Sequence, residues 1–163
     1  MKKQIVKFVI DKKLDIANHF AGLSSYRRGI ARGSQQTKIE NYEKLLKLSE
    51  SQQNEEIENR INRYYKDESK LNSLADDINN EWVKIEGDFI KKLEDVYKNP
   101  FPYKNIKGIL SSGVRFGYNI DEGWFATDMI RNKFISIDVA THELMHFMFY
   151  KYLPEQELVF IFQ

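Results

Sequence analysis

Apolar residues recur at helical spacing through most of the first hundred positions. Ile5, Val6, Val9, Ile10, Leu14, Ala17 and Phe20 or Ala21 form one stripe, which predicts a helix running to about Leu23. Residues 24 to 34, with Gly29, Gly33 and several serines, have the composition of a connection. From Thr37 to Lys98 there is no proline and almost no glycine. Ile39, Tyr42, Leu45 or Leu46, Ile57, Ile61, Tyr64 or Tyr65, Leu71, Leu74, Ile78, Trp82, Ile85, Phe89, Leu93 and Val96 keep spacings of three, four or seven. The least apolar part, residues 49 to 56, is where a turn or kink is expected. The register slips and aromatics sit at inward positions, so two or three packed helices are expected rather than a free coiled coil.

The pattern changes at Asn99. Residues 1 to 99 hold 36 of the 49 charged residues, whereas residues 100 to 163 hold 13 of the 22 aromatics and all three prolines. Residues 106 to 112 read as a strand, 113 to 118 as a turn and second strand, 119 to 123 as a turn, and 124 to 127 as a further strand. Ile137, Ala140, Leu144, Phe147, Met148 and Lys151 then restore a helical stripe reaching about Tyr152, with Ser136, Asp138 and Thr141 as possible caps and Pro154 as the stop. The expected fold is therefore α+β: a helical region over 1–99, then a small sheet and a long helix over 100–163.

Charge narrows the partners. Twenty-five basic against twenty-four acidic residues give no overall electrostatic case for nucleic acid or an anionic membrane. Arg27, Arg28 and Arg32 make one local basic patch, which reads as solvated surface. The apolar run at the N-terminus is broken by Lys7 and stopped by Asp11, so it is neither a signal peptide nor a membrane span, and a cytoplasmic location is expected. There is no cysteine, which leaves histidine, carboxylate or other oxygen to hold any metal.

The candidate chemistry lies on the last helical stripe, in His142-Glu143-Leu144-Met145-His146. Histidines at i and i+4 on a helix lie on one face, so both imidazoles can reach a single metal ion. Glu143 is turned about 100° from His142 and can address a water on the metal. With only three histidines in the chain, chance is a weak explanation for the pattern. The third, His19, has no partner motif and reads as an ordinary surface or interface residue.

This five-residue motif resembles the active-site helix of the zincin metallopeptidases and is similar to the gluzincin version. The metzincin extension is missing, since Phe149 and Tyr152 stand where that subfamily has glycine and histidine. The resemblance implies Zn2+ held by His142 and His146, with Glu143 as general base in the hydrolysis of a peptide or protein substrate. It also implies that residues 100–163 form the N-terminal part of a zincin catalytic domain, and that residues 123 to 127 form a sheet edge that pairs with extended substrate. Asp138 is a candidate to orient His142; Arg115, Tyr150 and Tyr152 are candidates to stabilise the oxyanion.

A third ligand is not evident. Glu155 and Glu157 are the only carboxylates after His146, and the expectation is Glu157 or none within the chain. The apolar tail from Leu158 to Gln163 fits the opening of a further helix in a longer protein. The alternative from another class is a non-catalytic interaction protein whose N-terminal helices bind a partner and whose metal site is structural or incomplete.

Overall fold

The computed structural model describes residues 4–31, 40–113, 117–129 and 133–152. The order of elements is β1 (Val6–Val9), α1 (Lys12–Ala31), α2 (Glu40–Leu46), α3 (Glu50–Tyr64), α4 (Glu68–Tyr97), β2 (Ile106–Ser111), β3 (Tyr118–Asn119), β4 (Trp124–Asp128) and α5 (Lys133–Tyr152). This is an α+β fold with one four-stranded sheet in the order β1-β2-β4-β3. β1 and β4 run parallel to β2, and β3 pairs antiparallel with β4.

The start of the chain differs from the helix expected there. In Ile5–Ile10 the apolar spacing satisfies both a helical stripe and a short strand, and β-branched residues favour the strand. Val6 and Phe8 face the core while Lys7 is exposed, the period-two signature of β1. The free edge of β1 is closed by α4. Asn79 accepts from the Phe8 amide and donates to the Phe8 carbonyl, each at 2.9 Å, so its side-chain amide stands in for a neighbouring strand. About two turns further on, buried Glu86 accepts from the Ile5 and Val6 amides and from Trp82 Nε1, the last two at 2.7 and 2.8 Å.

Two faces of the sheet are covered. Val6, Phe8, Ile106, Leu110 and Phe125 pack with Trp82 and Ile78 of α4 and with Leu144 and Phe147 of α5. Val9, Ile109, Trp124 and Ala126, on the opposite face, pack with Leu14 of α1. Gly108, in the middle of β2, makes the first arrangement possible: a Cβ there would lie 2.8 Å from the Phe8 ring, which needs that space to meet Trp82 and Phe125 edge-on. The composition change at residue 99 thus marks the end of α4, and the core runs across it.

The remaining helices form a second cluster, in which Leu23 and Tyr26 of α1 meet Tyr42 and Leu45 of α2 and Ile57 and Ile61 of α3. α1 continues to Ala31, through the segment expected to be a connection; Arg27 and Arg28 are exposed on it, and Arg32 lies outside the described residues. The first break after α2 falls just ahead of the expected region, because Ser49 caps α3 in a reciprocal box with Gln52. A second break, at Tyr65–Asp67, had no counterpart in the periodicity. Asp67 there accepts from the Lys70 amide and caps α4.

His19 is another departure. It is buried, with Nε2 3.0 Å from Ser112 Oγ, in a polar network that includes Asp15, Ser111 and Asn18. Asn18 also accepts from the Gly117 amide at 2.9 Å, tying α1 to the residue before β3. No described helix is long and apolar enough to cross a membrane.

Candidate metal centre

α5 begins at Lys133, so Ser136, Asp138 and Thr141 lie within it rather than capping it. Ser136 is buried and donates to the Asp128 carbonyl at 3.0 Å, which fixes the helix against the end of β4. Ala140, Leu144, Phe147 and Met148 form the buried stripe, with Ile137 packed at its edge. The helical spacing places His142 outside that stripe and His146 half-buried at its border, while Glu143 turns inward.

The two imidazoles converge. Their Nε2 atoms are 3.1 Å apart and the rings are nearly perpendicular, at 85° with centroids 4.7 Å apart. Two ligands about 2.05 Å from one zinc ion at a tetrahedral angle are about 3.3 Å apart, so this spacing fits a shared metal closely. Burial, with His142 beside it, lowers the pKa of His146, which favours the neutral imidazole that a metal requires.

Glu143 differs from the other buried carboxylates. Glu86 and Asp15 are each satisfied by amide, indole or hydroxyl donors, whereas Glu143 Oε2 is buried with no hydrogen-bond partner among the described residues. Burial pushes its pKa up to about 7. An unsatisfied buried carboxylate oxygen beside two convergent histidines fits a group that awaits a water, and its proton affinity suits proton transfer near neutral pH.

Tyr118 was missed from the sequence. It sits on β3 and stacks on the His146 ring at 5.0 Å and 20°, while Tyr150, one turn along α5, stacks on the same histidine at 6.0 Å and 26°. The two tyrosine rings are 6.1 Å apart. Burial, with Tyr150 and Glu143 nearby, raises the pKa of Tyr118, so it remains a donor. The only signal in the sequence was a tyrosine at the tip of a suspected strand, with nothing to say which helix the strand would meet.

Other expected positions fall elsewhere. Asp138 is exposed, and its side chain makes no hydrogen bond to His142 among the described residues, so it does not orient that ring. Tyr152 donates to the Pro100 carbonyl at 2.5 Å and is committed there. β4 lies between β2 and β3 and all five of its residues are buried, so residues 123 to 127 are not the edge; β3 is. Arg115, Glu155 and Glu157 lie outside the described residues, and among those described no group of three or more histidines and carboxylates forms a closed metal site.

Comparisons of the chain with protein-family models, with curated proteins and with solved structures find no significant match.

Proposed function

We propose that the protein is a zinc-dependent metallopeptidase of the zincin type, with His142 and His146 as metal ligands and Glu143 as general base. The observation that carries this reading is the pairing of two Nε2 atoms at 3.1 Å with a buried, unpartnered Glu143 oxygen one residue from the first of them. Zinc held by the two histidines supplies Lewis acidity toward water and toward the carbonyl oxygen of the scissile bond. Glu143 accepts the proton of the attacking water at its carboxylate and passes it to the leaving amine. Tyr118 and Tyr150, whose rings stack on His146, are the candidates to donate to the developing oxyanion.

The substrate is an extended peptide or protein segment. β1 is closed by Asn79 and Glu86, whereas β3, with Tyr118 beside His146, is the edge next to the histidines, which supports binding by strand addition there. The N-terminal helices offer surface for a partner protein in this reading. Location in the cytoplasm is part of the same proposal.

Glu143→Gln tests the assignment, because the amide cannot take the proton. With casein or a quenched peptide library as substrate, the variant is expected to keep its zinc and its circular dichroism while hydrolysis falls by at least about a hundredfold. Zinc bound without hydrolysis by the wild-type chain would favour the interaction-protein alternative; activity near wild type in the variant would refute the role of Glu143.

A further inference from the structure

On the sheet face opposite α5, helices α1, α2 and α3 enclose a cavity of about 230 Å³. We propose that this cavity is a binding site for a small carboxylate with an apolar body of about ten heavy atoms, anchored by Arg60. An apolar cavity of about 150 Å³ is enough to take up benzene, so this one has room for a ring with a short chain. Tyr42, Leu45, Leu48 and Ile57 supply its apolar walls.

The polar groups decide the charge of the occupant. Arg60 lines the cavity half-buried and makes no hydrogen bond or ion pair among the described residues, although its charge acts on Asp15 and His19. A guanidinium in that position presents a fork of donors suited to a carboxylate, and partial burial strengthens the attraction. Lys44 also lines the cavity. Glu56, the one acidic group there, is countered by Arg63 at 3.7 Å. Deeper in, His19 closes the cavity: the Ser112 hydroxyl donates to Asp15, so His19 Nε2 donates to Ser112 Oγ, and desolvation with Arg60 nearby lowers the His19 pKa to about 4, which keeps the ring neutral near pH 7. His19 therefore adds no charge of its own. The site shares no residue with the candidate metal centre, and it stands whether or not the chain is a peptidase.

The full-length chain titrated with 3-phenylpropanoate and, separately, with uncharged 3-phenylpropan-1-ol tests the proposal by NMR. Saturable binding at one site per chain is expected, with shifts at His19 and Tyr42. The acid should bind at least about fivefold tighter than the alcohol, reflecting a charge-assisted contact. Arg60→Gln, a change at a half-exposed helical position checked by circular dichroism, should remove that preference and leave the weaker binding of the alcohol. No saturable binding below about 10 mM acid, equal binding of acid and alcohol, shifts confined to other regions, or an unchanged preference in Arg60→Gln would each overturn it.

Discussion

His19 and Glu143 are both buried ionisable groups, and burial moves their pKa values in opposite directions, to about 4 and about 7. For His19 the main cause is desolvation, helped by the positive charge of Arg60. Between about pH 6.5 and 4 the unfolded chain binds a proton at this position that the folded chain refuses, so the His19 contribution lowers stability as pH falls. Glu143 works the other way in metal-free protein: its neutral form is favoured in the fold, so its contribution is present at low pH and is lost as pH rises through about 7. Asp15, raised chiefly by desolvation, has the same sign as Glu143. The wild-type curve therefore mixes opposing slopes, and only a difference isolates one residue. Urea denaturation of the metal-free wild type and His19→Gln should show wild type losing about 3 kcal/mol relative to the variant between pH 7.5 and pH 4. A pH-independent difference would mean that folding leaves the His19 pKa unchanged, and a wild type that gains on the variant as pH falls would mean that His19 is protonated in the fold.

At the scale of elements, β1 depends on side chains 70 to 80 residues away. Removing the Glu86 carboxylate as Glu86→Ala leaves the Val6 amide and the Trp82 indole N–H without acceptors in the core. A loss of at least about 3 kcal/mol in denaturant unfolding is expected, because each buried unsatisfied donor costs about 1–3 kcal/mol and the volume lost adds to it. Lys84→Ala on the exposed face of α4 serves as the control and should stay within about 0.5 kcal/mol of wild type. A small effect of Glu86→Ala would show that β1 is held by its pairing with β2 alone.

The same elements show what the chain reveals locally. α4 and α5 were legible because a helix repeats its buried face every three or four residues, and His142, Glu143 and His146 could be placed relative to one another from that period alone. β1 was not, since the apolar residues of Ile5–Ile10 fit either period and the deciding partners, β2 and Asn79, lie far along the chain. Tyr118 and the burial of His19 were hidden for the same reason: each is fixed by an element brought up only by the tertiary fold.

Across the whole molecule, the sheet separates two sites of different character. α5 and the β3 edge carry the histidine pair, while α1, α2 and α3 carry the cavity on the opposite face. Asn18 is the one described link between α1 and the start of β3, through the Gly117 amide that precedes Tyr118. The central proposal, however, rests on α5 alone: two imidazoles to hold zinc and, one residue from the first, a buried carboxylate to serve as base. Zinc content per chain, measured after loading and exhaustive dialysis of wild type, His142→Ala and His146→Ala, tests it most directly. The account predicts close to one zinc per wild-type chain and a fall to near zero in both variants with circular dichroism unchanged; a folded wild-type chain that retains no zinc would contradict it.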